Sequence, residues 1–191
     1  MGSKSRRFAL TIRDICFISV FTAIIAVCAQ ICIPMPAGVP FTLQTFAVLL
    51  AGVILGAKRG ALSALIYILL GLTGVPIFTG FRGGFAVLSG ATGGFILSFP
   101  LMALFAGIFA YISLYKKPSV KIFLISAGLV LCTAVNYLCG AAMFSAITSS
   151  GLRDAFIACV LPFILPDIIK IILAGSIGLS VKKILSKNRI Y

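Results

Sequence analysis

The sequence contains no histidine and only three acidic side chains, Asp14, Asp154 and Asp167. A hydrolase, a metal enzyme or a proton-driven pump needs more ionisable groups than that inside a membrane. Charge of any kind is scarce: 10% of the 191 residues are charged, against about a quarter in an ordinary soluble domain. So little charge cannot solvate a compact surface. No Gly-x-x-x-x-Gly-Lys phosphate loop is present, so the chain is not itself a conventional P-loop ATPase, and any ATP must be hydrolysed by a partner. The six cysteines, Cys16, Cys28, Cys32, Cys132, Cys139 and Cys159, form no Cys-x-x-Cys pair. All but Cys159 lie in long apolar stretches. They read as small packing residues and not as a metal set. There is no internal repeat, no linker and no low-complexity tract, so residues 1–191 read as a single membrane domain.

What is present is apolar. The hydrophobic fraction is 61% and the mean hydropathy is +1.23. A spanning helix needs about 20 mostly apolar residues. Six such runs are expected, at roughly 14–33, 41–57, 60–79, 92–115, 120–148 and 160–185. Lys4, Arg6 and Arg7 precede the first, which is expected to be a retained helix and not a cleaved signal peptide. The expected fold class is an all-α integral membrane protein with six transmembrane helices.

The 16 basic residues orient these spans. Lys4, Arg6, Arg7 and Arg13 precede span one, and Lys58 and Arg59 follow span two. Lys116, Lys117 and Lys121 follow span four, and Lys182, Lys183, Lys187 and Arg189 end the chain. With six spans all of these fall on one side. Arg82 and Arg153 fall on the other. The positive-inside bias then puts both termini in the cytoplasm. A multi-pass protein of a prokaryotic cytoplasmic membrane is expected, contacting lipid. The clusters sit between apolar runs with no aromatic interleaving, which excludes nucleic acid as the partner.

The exception to the apolar pattern is Leu165-Pro166-Asp167-Ile168-Ile169-Lys170. Residues three apart share a helix face, and a charge inside a bilayer costs about 2.5–3.5 kcal/mol or more. The pair therefore faces the bundle interior. Lys170 is 12 residues before Lys182, about 18 Å at 1.5 Å per residue, which sets both charges in the outer half. The spacing fits a polar wall for a ligand or an ion pair that only fixes helix packing. Pro166 favours a helix start just before the pair. Asn136, with Tyr137 beside it, comes to a similar depth on span five. Gln44 lies in the outer turn of span two.

Between spans three and four runs a Gly-rich segment, 74–94. Its backbone cannot lie bare in hydrocarbon; it must be wet, packed on protein or folded over a ligand. Arg82, Gly83, Gly84, Thr92 and Gly93 lie on it, and backbone donors there with Arg82 can hold an anionic group. Taken singly, Asn136 also fits a helix–helix hydrogen bond and Arg82 a solvated loop charge. Together these groups describe a site of one carboxylate, one ammonium, an amide or two and apolar walls. That suits a small, largely apolar ligand with a few hydrogen-bonding groups. It suits a nucleotide or a sugar poorly. Span one carries Ser19-x-x-x-Ala23 and Thr22-x-x-x-Ala26, small residues four apart that allow close helix approach within the chain or to another subunit.

These residues resemble a known family. The match lies in Val39-Pro40-Phe41-Thr42-Leu43-Gln44-Thr45-Phe46-Ala47, Leu55-Gly56-Ala57-Lys58-Arg59-Gly60-Ala61 and Leu70-Gly71-Leu72-Thr73-Gly74-Val75-Pro76-Ile77-Phe78. It continues in Gly90-Ala91-Thr92-Gly93-Gly94-Phe95 and Leu165-Pro166-Asp167-Ile168-Ile169-Lys170. The chain resembles the BioY family, the biotin-binding S components of energy-coupling-factor (ECF) transporters. The resemblance implies a six-helix capture subunit and not an enzyme, working with a transmembrane coupling subunit and two ATPase subunits. It implies biotin as bound substrate, with no cofactor and no metal. Asp167 and Lys170 match positions that contact biotin. The acid would accept from the ureido N–H groups, and the ammonium would bind the ureido oxygen or assist the acid. Arg82 and the Gly-rich loop are assigned to the carboxylate. Two departures stand out. Ser19/Ala23 and Thr22/Ala26 replace an Ala-x-x-x-Ala docking motif. Thr79-Gly80-Phe81-Arg82 lacks an asparagine found in some relatives, which leaves the second ureido contact open, with Asn136 as one candidate. The alternatives are another vitamin or a biotin precursor as cargo, or a structural membrane subunit without a ligand.

Overall fold

A computed structural model describes residues 10–36, 38–114 and 116–187. Lys4, Arg6, Arg7 and Arg189, four of the basic residues used for orientation, lie outside them. The first helix, α1 (Ile12–Gln30), opens with a capping box. Asp14 N donates to Thr11 Oγ1 at 3.2 Å, and Thr11 N donates to Asp14 Oδ2 at 3.0 Å. Asp14 also meets Arg59 at 2.9 Å, tying the start of α1 to the start of the third helix.

After α1 the chain forms a two-stranded antiparallel hairpin, β1 (Cys32–Ile33) with β2 (Phe41–Thr42), pairing Cys32 with Thr42 and Ile33 with Phe41. The run expected as a span over 41–57 is therefore shorter: α2 covers Gln44–Leu55. Its 12 residues reach about 18 Å, less than a bilayer core of about 30 Å. Length is not what holds α2 in place. It packs against α1, α3 (Ala57–Leu72), α6 (Phe99–Ser113) and α9 (Ile164–Lys187), and Ala47, Val48, Ala51 and Val53 are wholly buried. Glycine makes that packing close. A Cβ on Gly52 would lie 2.4 Å from Ala103 O, and one on Gly60 would lie 2.8 Å from Gly52 Cα. The chain turns from α2 to α3 at Gly56, whose φ of 81° lies in the left-handed region that glycine adopts without strain.

The Gly-rich segment is packed on protein. Phe78 and Arg82 exchange backbone hydrogen bonds, and Gly84 N donates to Gly71 O at 2.7 Å. Gln30 on α1 donates to Ile77 O and Phe78 O and accepts from Phe81 N. A short helix, α4 (Phe85–Leu88), lies within the segment. The span expected over 92–115 is two helices, α5 (Gly93–Leu97) and α6, broken at Ser98 ahead of Pro100. The expected 120–148 is α7 (Pro118–Thr148), 31 residues long. Before α9 come α8 (Leu152–Cys159) and one 3-10 turn, Leu161–Phe163. The pattern of apolar runs does not announce α8.

Among the described residues, three stretches are long and apolar enough to cross a membrane: Ile12–Gln30, Pro118–Thr148 and Leu152–Leu185. Their outer faces carry exposed Val20, Val27, Leu131, Leu138, Ile169 and Ile172, while Asn136, Asp167 and Lys170 are turned inward. This inversion, apolar outside and ionic inside, is what a hydrocarbon solvent imposes. All six cysteines are free thiols.

Candidate functional site

Asp167 lies in the first turn of α9, directly after Pro166, whose missing N–H costs nothing at a helix start. Lys170 follows one turn later on the same face. Both are buried, 5% and 6% exposed, and Asp167 Oδ1 is 2.6 Å from Lys170 Nζ. The remaining ammonium hydrogens go to Thr42 O at 2.7 Å and Thr45 Oγ1 at 3.2 Å. Three donors thus meet three acceptors. Nζ also lies 3.9 Å from the centre of the Phe41 ring, and Phe41 stacks on Phe163. The hairpin supplies half of this cage, which explains why a strand replaces the expected start of span two.

Tyr137 donates its hydroxyl hydrogen to Asp167 Oδ2. Among the described residues, Asp167 Oδ1 takes no hydrogen bond beyond the ion pair. A carboxylate offers about four acceptor positions, so lone pairs remain. Asn136, one residue before Tyr137 on α7, is fully buried. Its amide nitrogen donates to Phe95 O at 2.9 Å and to Ser98 Oγ at 2.7 Å. Its Oδ1 accepts from no partner among the described residues. A buried acceptor without a donor costs about 1–3 kcal/mol. Gln44, 4% exposed, donates to Tyr67, which passes a hydrogen bond on to Ile77 O, and it accepts from Thr79.

These groups line one cleft of about 620 Å³, its open mouth included. Of the residues expected there, Asp167, Lys170, Asn136, Tyr137, Gln44, Arg82 and Thr92 line it. Arg82 stands exposed at the mouth and donates from Nε to Thr79 O at 3.2 Å. Gly83, Gly84 and Gly93 do not line it, for a physical reason: their backbones serve the loop. A Cβ on Gly83 would lie 2.5 Å from Val75 O, and one on Gly93 would lie 1.8 Å from Leu88 O. The N–H groups of Gly84 and Gly93 are spent on Gly71 and Gly90. Sequence reasoning missed the aromatic wall of Phe41, Phe95, Phe99 and Phe163, and it missed Thr42, Thr45 and Thr79. The threonines flanking Gln44 were the one available signal.

The small-residue pairs of α1 divide. Thr22 is buried and donates to Ser63 O at 3.0 Å, and Ala26 packs on the core. Ser19 and Ala23 are exposed.

An apolar helical bundle closed around a buried ion pair, with a cleft lined by that pair, defines a membrane protein that captures a small molecule. A model of the BioY family matches residues 3–187. The chain belongs to the BioY family. It is 40% identical over 158 residues to a probable biotin transporter BioY of Pyrococcus horikoshii, covering 83% of this chain and 89% of that one. It is 40% identical over 167 residues to the biotin transporter BioY of Thermotoga maritima, covering 86% and 93%. Among solved structures it resembles the S-component for biotin from an ECF-type ABC transporter, with 27% identity, a TM-score of 0.80 and coverage of 92% and 95%.

Proposed function

We propose that this chain captures biotin from outside the cell as the S component of an ECF transporter, with ATP hydrolysis left to partner subunits. The observation that carries this reading is the buried Asp167–Lys170 pair beside an unmet acceptor, Asn136 Oδ1, in one cleft. Biotin carries two ureido N–H donors in an otherwise apolar bicycle. Asp167 and Asn136 are the two acceptors that fit them, and the aromatic wall fits the rings. Lys170 holds Asp167 in place through the ion pair, and its longest bond, to Thr45, is the first to yield to the ureido oxygen. Arg82 at the mouth suits the carboxylate at the far end of the valeryl chain.

Six crossings, by α1, α2, α3, α5 with α6, α7 and α9, put the cleft at the outer face of a prokaryotic cytoplasmic membrane with both termini in the cytoplasm. The support is that Lys58, Lys121, Lys182 and Lys183 all lie at the opposite end of their helices. A transmembrane coupling subunit would dock on exposed Ser19 and Ala23, with two ATPase subunits beyond it. No metal and no cofactor belong to this reading.

Isothermal titration of the purified chain with biotin tests it. Saturable binding of about one biotin per chain is expected, and no heat at micromolar biotin would refute it. Competition by desthiobiotin, riboflavin or thiamine decides between biotin and another cargo.

A further inference from the structure

At the other end of the bundle lies a second and larger cavity, about 1510 Å³ with its open mouth included. It is bounded by the Gly56–Lys58 turn, the second half of α6, the start of α7 and the end of α9. Four lysines line it: Lys58, Lys121, Lys182 and Lys183. Along α9, Lys182 is about 18 Å from Lys170, so this cavity and the biotin cleft are separate.

Among the described residues no acidic side chain pairs with Lys121 or Lys182. The sequence has three acidic side chains. Asp14 is ion-paired with Arg59, and Asp167 with Lys170. Asp154 is in the first turn of α8, at the cleft end of α7 and α9. Lys121 and Lys182 are half-buried, and neither has an ion pair among the described residues. Two ammonium groups drawn into one cavity repel each other and lose hydration. An anion supplied from outside the chain relieves both costs.

The remaining wall specifies what carries that anion. Ile108, Tyr111, Leu114 and Leu179 line the same cavity. Ile108, Tyr111 and Leu114 are exposed along α6, on the apolar surface that hydrocarbon covers. A free phosphate would satisfy the lysines and leave this wall wet. We propose that the cavity binds an anionic phospholipid, its phosphate among Lys58, Lys121, Lys182 and Lys183 and an acyl chain along α6. Basic pockets between helices at a membrane face are suited to such headgroups. The proposal is independent of the identity of the ligand in the cleft.

The full chain, reconstituted in nanodiscs of equal parts phosphatidylglycerol and phosphatidylcholine, is released into native mass spectrometry. About one phosphatidylglycerol per chain is expected to stay bound in preference to phosphatidylcholine. Each lysine near an anionic surface is worth about fivefold, so Lys121→Gln with Lys182→Gln is expected to cut that preference about 25-fold. Lys121→Arg with Lys182→Arg is expected to keep it. Thermal unfolding and the biotin titration of both variants, expected to be unchanged, establish that they fold. Equal retention of the two lipids overturns the proposal. So does an undiminished preference in the folded glutamine variant. Loss of the lipid to millimolar inorganic phosphate would make the cavity a site for a free anion, and overturns the lipid reading as well.

Discussion

At one end of the bundle Lys170 is 6% exposed, and three acceptors surround its ammonium. At the other, Lys121 and Lys182 share a cavity lined by no carboxylate among the described residues. The first charge is compensated from within the chain, by Asp167 and by the backbone and side-chain oxygens of Thr42 and Thr45. The second pair must be compensated by the surroundings. Depth in the membrane explains the difference. A buried charge has only protein to turn to, so every partner must be encoded. A charge at the membrane surface can draw on water, counterions and headgroups. The ligand cleft is consequently the more fragile end to mutation, and the lysine cavity the more responsive to its environment.

The largest expected effect breaks the compensated end. Asp167→Ala leaves Lys170 buried without its counter-charge, a change that costs about 3–5 kcal/mol. Biotin affinity should fall by more than about a hundredfold, and the thermal midpoint should drop with it. Calorimetry and thermal unfolding check both. Asp167→Asn with Lys170→Met then sharpens the point. Stability should largely return, because a neutral pair needs no compensation, while biotin binding stays lost.

Asn136→Leu comes next. It removes the unmet acceptor together with two satisfied donors. The expected loss of affinity is about 1–3 kcal/mol, or about fivefold to 150-fold, read by titration. Retained affinity would mean that Oδ1 never faces the ligand.

Arg82→Gln is smaller. The side chain is exposed at the mouth, where charge interactions contribute about 1 kcal/mol or less. The useful readout is a ratio. The parent should prefer biotin to its methyl ester, and the variant should not. Added salt should weaken the parent's preference in the same direction.

The smallest effect belongs to the basic end. Lys121→Gln should leave biotin affinity unchanged and shift stability in detergent by no more than about 0.5 kcal/mol. A large loss of biotin binding there would dissolve the distinction between the two ends.

The sequence states the two ends unequally. Asp167 and Lys170 are legible because charge in an apolar helix is rare and their spacing is helical. Asn136 follows from depth counted in helical rise. The lysines announce themselves as clusters. The hairpin Cys32–Ile33/Phe41–Thr42 is not legible, since two-residue strands leave no periodicity to read. The break at Ser98 is hidden because apolar composition continues through it, and the helix Leu152–Cys159 because its eight residues, with Arg153 and Asp154, read as a connection between spans. Gly83, Gly84 and Gly93 misled because glycine near an expected anion site reads as a cradle, whereas here Gly83 and Gly93 let neighbouring backbone press close and Gly84 takes a positive φ of 90°. Phe41, Phe95, Phe99 and Phe163 are four of the 16 phenylalanines, and nothing local distinguishes those that face the cleft.

The bond from Lys170 to Thr42 closes a span of 128 positions in the chain. Its acceptor is made well before its donor, which comes only with α9. The cage around the ammonium therefore cannot exist on a nascent chain. Contacts this distant in sequence also form slowly, because the loop between them must be closed first. Until α9 packs home, the hairpin has no ammonium to hold and the cleft has no floor. Competence to hold a ligand therefore waits for α9, and a chain cut short before it would carry most of the fold and lack the Asp167–Lys170 pair of the site.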